Sequence, residues 1–172
     1  MKPGSTPLPA LARLLVLAAS LSAGLALADD YSDISQMLRA GRLAEARTRV
    51  DRALAAKPRD PQMRYFKGVI QRDSGQQAEA LTTFTKLTED YPELPEPHNA
   101  LAVIHAAQGA LDKARSALEM AIRANPAYAT AHENLGDVYA RLAAQAYCKA
   151  LQLDANNSAL RSKLSTLGTH CP

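Results

Sequence analysis

The chain has 172 residues, 47% of them apolar, which is enough for one domain with a sizeable core. Its 20 Lys and Arg face 17 Asp and Glu, for a formal charge of +3, and the two signs are interspersed. Such a balance, with no run of like charge, provides no electrostatic basis for binding nucleic acid or an anionic membrane surface.

The first residues have the form of a secretory leader. Lys2 and Arg13 make a positive start, Leu14 to Leu27 is a short apolar run, and Ala26-Leu27-Ala28 offers small residues for cleavage after Ala28. The competing reading is a retained anchor, against which stands a run shorter than the roughly 20 residues that span a bilayer. Loss of Lys2 and Arg13 takes the basic count from 20 to 18 against 17 acids, so the mature chain, Asp29 to Pro172, is near neutral. The expectation is an exported protein, periplasmic or secreted, with no stable membrane span after cleavage and no nucleic-acid partner.

From Asp30 the chain reads as helices throughout. A weak first helix near Ser32 to Arg39 precedes a clearer one near Leu43 to Lys57. Asp60-Pro61 supplies a cap and a proline at the first helical position, where its missing amide proton costs nothing. Helices near Pro61 to Asp73 and Gln77 to Asp90 follow, then Pro95 to Gln108 and Leu111 to Ala124. In the last of these Leu111, Ala114, Leu118, Ala121 and Ile122 form one apolar stripe. Beyond it, five residues including a turn glycine are missing relative to the preceding spacing, and no Gly or Pro interrupts Ala140 to Leu167. The spacing therefore predicts one nearly continuous helix over Thr130 to Leu153, against the alternative of a tight turn near Ala143 and Ala144. A final amphipathic helix, Ser158 to Leu167, is expected to cap the end.

These elements repeat. Pro58, Pro92 and Pro126 are 34 residues apart. On the same period fall Gly41, Gly75 and Gly109, then Ala46, Ala80 and Ala114, then Val50, Phe84 and Leu118, then Ala53, Leu87 and Ala121. Glycine lets the chain leave the first helix in a left-handed conformation, alanine lets two helices approach, and proline ends the second helix. A helix-turn-helix unit at this period is the mark of a helical repeat array, and these columns resemble those of the tetratricopeptide repeat. The resemblance covers about Asp30 to Asn157 and implies an all-α, right-handed solenoid of about four helix-turn-helix repeats. By position these lie near 29–58, 61–92, 95–126 and 129–155, the last one shortened, with residues 158–172 as capping helix and tail.

No sequence motif points to catalysis: there is no phosphate loop, no Gly-x-Ser-x-Gly elbow and no placed acid pair. His98 and His132 share a repeat position and His105 lies two turns beyond His98, but two imidazoles without a third ligand do not make a defined metal site. The expectation is no enzyme, no cofactor and no metal. Cys148 and Cys171 are a possible disulfide in an oxidising compartment, or two free thiols; their spacing alone does not decide.

The resemblance implies a concave groove lined by the first helix of each repeat, open to a peptide or partner protein. By register it would be formed by Tyr65, Val69, Arg72 and Asp73, by Glu96, Asn99 and Val103, and by Glu133, Asp137 and Arg141. The family's clamp for C-terminal carboxylates needs Lys, Asn and Arg where this chain has Tyr31, Ser35, Phe66, Glu96 and Ala100, so that mode is not expected. The implied function is a protein-interaction scaffold in cell-envelope assembly. Alternatives are a homo-oligomeric module joined through the long helix, and a thiol or metal accessory to redox or cofactor assembly.

Overall fold

The computed structural model describes residues 30–171, and the leader reading, with its cleavage after Ala28, lies outside them. Eight helices and no strands make up the described residues: α1 (residues 30–39), α2 (Leu43–Ala56), α3 (Pro61–Asp73), α4 (Gln77–Asp90), α5 (Pro95–Ala107), α6 (Leu111–Ala124), α7 (Ala129–Leu153) and α8 (Ser158–Thr166). They fall into two compact units divided within α3, between Phe66 and Lys67.

In the first unit Ile34, Met37, Ala46, Val50, Met63 and Phe66 are buried. Its chain entry into α3 is pinned at Asp60, whose carboxylate accepts from the Met63 amide at 2.9 Å and from the Tyr31 hydroxyl at 2.7 Å. The first contact is a helix N-cap, satisfying an amide with no partner inside the helix. Tyr31 also packs its ring against Phe66 at 6.5 Å between centroids.

In the second unit α5 packs between α4 and α6, α7 lies on α6 and touches α5, and α8 lies on α7. One cluster, with Ala102, Leu111, Ala114, Leu118, Ala121, Ala131 and Val138 buried, joins α5, α6 and α7. The period-34 columns explain it. Ala80 and Ala114 are completely buried where two backbones approach, and Phe84 and Leu118 fill the space beside them.

The turn glycines act as their spacing predicts. Gly41, Gly75 and Gly109 have φ of 69°, 78° and 74°, a region open to glycine and strained for a side chain. In each turn the next amide reaches back to the carbonyl five residues earlier, Arg42 to Met37, Gln76 to Gln71 and Ala110 to His105, at 2.8 to 2.9 Å, which closes the first helix.

The second helices also end alike. Lys57, Tyr91, Asn125 and Asp154 adopt φ between −142° and −134°, and their amides donate to the carbonyls of Ala53, Leu87, Ala121 and Ala150. The spacing of these ends is 34, 34 and 29 residues. Helix starts at Pro61, Pro95, Ala129 and Ser158 step by the same 34, 34 and 29. Five residues are therefore lost inside the fourth repeat, and they are the turn. With no left-handed residue to close it, α7 runs unbroken for 25 residues, and the tight turn near Ala143 and Ala144 does not form. Asn157 then caps α8 by accepting from the Leu160 amide. Cys148 on α7 is bonded to Cys171, with their Cα atoms 5.4 Å apart, which ties the tail to α7. Among the described residues no helix is long and apolar enough to cross a membrane.

Candidate functional site

The first helices of the third and fourth repeats, α5 and α7, are tied directly to one another. Asn134 on α7 donates from Nδ2 to Oδ1 of Asn99 on α5 at 2.8 Å. Two turns further on, Arg141 donates from Nη1 to the carbonyl of Ala106 at 2.9 Å, a second donor to a helix-end carbonyl that also accepts from the Gly109 amide at 3.1 Å. Between these two ties lies a cleft of about 470 Å³. Its floor is apolar, made by Ala102, Val103, Ala106, Leu118, Val138 and Ala140, and its polar edge is Asn134, Asp137 and Arg141. Alanines at 102 and 106 keep α5 thin, which is why the space exists. Val103 points outward and is 38% exposed, an uncovered apolar surface at the cleft.

Of the ten residues expected in a groove, Val103, Asp137 and Arg141 meet in this cleft. Asn99 adjoins it but is 9% exposed and committed to Asn134, so it is a support of the wall. Glu96 and Glu133 are exposed on α5 and α7. The Glu96 charge reaches Tyr128, whose phenol is raised first by burial and then by that carboxylate. On α3, Val69 is buried, and Arg72 and Asp73 pair with each other at 2.7 Å. Tyr65 belongs to the first unit, with its ring 6.3 Å from that of Phe66.

Sequence reasoning missed Asn134, Val138, Ala140 and the two alanines of α5. The signal for Ala106 was available, since it holds the twelfth repeat position, where Arg72 was selected in the second repeat. For Asn134 there was none, because its partner is 35 residues away and off the strict period.

The histidines have a structural role. His98 Nε2 donates to the Pro92 carbonyl at 3.3 Å, and His132 Nε2 donates to the Pro126 carbonyl at 2.9 Å. Each ring therefore holds the proline turn that precedes its helix, the same contact one repeat apart. Burial pushes His98 below the ordinary histidine pKa, with the Pro92 hydrogen bond opposing it. His105 is lowered by burial and then by the Lys113 charge, and its Nδ1 is buried without a hydrogen-bond partner.

Two other cavities have several charged side chains on their walls. One of about 570 Å³ lies beside the disulfide, with Lys149, Gln152, Arg161 and His170 on its wall. The other, about 490 Å³, lies in the first unit among Arg49, Arg52, Lys57, Asp30 and Asp60, where Arg49 is paired with Asp33 at 2.6 Å.

Two family models, described as tetratricopeptide repeat and TPR repeat, match residues 38–95 and 104–142. Over 83 residues the chain is 36% identical to the tetratricopeptide repeat domain-containing protein PYG7, chloroplastic, of Arabidopsis thaliana; the match takes in 45% of this chain and only 28% of that relative's length. Among solved structures it is similar to a thermophilic TPR protein of Thermus thermophilus, with 28% identity, TM-score 0.62, and 81% of this chain and 79% of that one covered. The first TPR domain of human RPAP3 shares the fold at 15% identity and TM-score 0.60, covering 66% of this chain and 90% of that one. MamA of Desulfovibrio magneticus shares it at 17% identity and TM-score 0.53, covering 80% and 71%.

Proposed function

This chain belongs to the tetratricopeptide repeat family, and on that premise we propose that it is an exported interaction scaffold whose α5/α7 cleft holds a peptide segment of a partner in cell-envelope assembly. The family membership itself makes it a protein-interaction scaffold of a generally non-catalytic kind. The single observation that supports the finer reading is the cleft's make-up: an apolar floor with Val103 uncovered, edged by one carboxylate, one guanidinium and one amide. A volume near 470 Å³ suits a few side chains, and the mixed edge suits backbone and charged groups of a segment laid across it. The proposed ligand places an apolar side chain against Val103 and Val138, with polar groups beside Asp137 and Arg141.

A displayed peptide library selected against the whole protein tests this. Selected peptides are expected to lose at least about tenfold in affinity with Val103→Asp and with Asp137→Ala, the helical circular dichroism being unchanged. Equal affinity for both variants overturns the cleft as the site. Export rests on Lys2, Arg13, the apolar run to Leu27 and Ala28. Fusing residues 1–28 to a reporter active only outside the cytoplasm tests it, and an inactive reporter refutes it.

A further inference from the structure

In the complete repeats, the eighth and twenty-fourth positions face each other. A Cβ placed on Gly68 would lie 2.5 Å from the Phe84 ring, so the glycine and the aromatic fill one space between them. One repeat on, Ala102 and Leu118 share one buried cluster, a larger residue on the first helix opposite a smaller one on the second. The fourth repeat holds Gly136 and, five residues short of the period, Tyr147, again a glycine and an aromatic. Tyr147 sits in register with Ala143 and Ala150, which continue the alanine column and the column before the helix end.

Yet α7 keeps this matched pair apart. Eleven residues of continuous helix separate them by about 16 Å along the axis. A Cβ on Gly136 would meet nothing within 4 Å. On α5, packed between α4 and α6, His98, Leu101 and Ala102 are 7%, 9% and 1% exposed, whereas at the same positions of α7 His132 and Gly136 are exposed and Leu135 is half-buried. Tyr139 is 49% exposed. The covering residues themselves, Ala143, Tyr147 and Ala150, are half-buried even with α8 on α7 and the Lys163 ammonium 5.4 Å from the centre of the Tyr147 ring, whereas Ala114, Leu118 and Ala121 are completely covered or nearly so.

We infer that a second copy of this chain supplies the missing cover: two α7 helices pair antiparallel, each laying its Ala143–Leu153 half on the Ala129–Leu142 half of the other, so that Tyr147 of one copy closes over Gly136 of its partner. The occupant is specified by the columns, because the half-helix that fits this face is present in the same chain and only the lost turn prevents it from folding back. Antiparallel pairing about the helix midpoint satisfies both copies with one self-complementary contact. Loss of a hinge turn is a common origin of such an exchange.

Sedimentation equilibrium of the whole protein between about 1 and 100 μM tests it. The expected species is a dimer, and a monomer throughout overturns the inference. Reinserting Gly109 to Lys113, the turn of the third repeat, between Leu142 and Ala143 restores a hairpin within one chain and should give a folded monomer. Gly136→Leu fills the space intended for Tyr147 and should weaken association about tenfold or more. If Gly136→Leu fails to fold by circular dichroism, the insertion decides alone. A dimer of undiminished affinity in the insertion variant places the contact elsewhere and overturns the exchange.

Discussion

Asn134 gives its Nδ2 proton to Oδ1 of Asn99 at 2.8 Å, across 35 residues of sequence, joining α7 to α5 beside the apolar floor of the cleft. Asn99 is only 9% exposed, so this bond is its principal recompense for leaving water. Truncation of Asn134 to Ala leaves a buried amide oxygen unpaired, at about 1–3 kcal/mol. Urea denaturation is expected to show that loss, and Asn99→Ala with Asn134→Ala should lose less than the two single effects added. Simple additivity refutes the coupling.

The eighth-position glycine of the second repeat is set by Phe84. Gly68→Ala puts a methyl group 2.5 Å from the ring and should destabilise by about 1–3 kcal/mol, although alanine is the better helix former. Adding Phe84→Leu reproduces the Ala102 and Leu118 combination of the next repeat and should recover part of the loss. A Gly68→Ala protein as stable as wild type contradicts the packing argument.

His98 makes stability depend on pH. Its folded pKa lies below the ordinary 6.5 because burial disfavours the imidazolium, and His105 is shifted the same way for the same first cause. Above about 6.5 both are neutral in either state and the contribution is fully present. As pH falls below that value the unfolded chain takes up protons that the folded chain refuses, so stability is lost as pH falls through the folded pKa values. Denaturation midpoints at pH 7.5 and pH 5 should differ, and His98→Gln with His105→Gln should flatten the difference. An unchanged slope in the double variant rules out these two rings.

The Cys148–Cys171 bond closes a 23-residue separation around α8, whose buried apolar anchor is Leu164. Removing the cross-link frees the unfolded segment and should cost about 3 kcal/mol on the chain-entropy view. Hydrogen exchange in α8 is expected to accelerate in Cys148→Ser, with α5 and α6 unaffected. Equal protection of α8 in both proteins means that packing of Leu164 on α7 suffices without the bond.

Much of the fold was legible because a repeat states its rule several times. Gly41, Gly75 and Gly109 mark the turns, and the period alone places Ala80, Ala114, Phe84 and Leu118 in the interior. The long α7 was legible for the converse reason, since a turn without its left-handed residue has nothing to end the first helix. The candidate site was less so. Register placed Val103, Asp137 and Arg141 together, but it also chose Val69, which is buried, and Asn99, which is spent on Asn134. Position within a repeat fixes direction from the helix axis and says nothing about how closely the next helix lies.

By itself, then, the sequence determined the all-helical repeat, the approximate positions of the helices, the loss of one turn and hence one long unbroken helix in the fourth repeat, since these follow from local conformational preferences and spacing. Only the tertiary structure decided that His98 and His132 hold proline carbonyls, that Cys148 meets Cys171, and that small residues on α5 leave a cleft edged by Asp137 and Arg141. Those outcomes depend on distances between segments remote in the chain, and such distances are set by how side-chain volumes fill the space between helices, which no periodicity encodes.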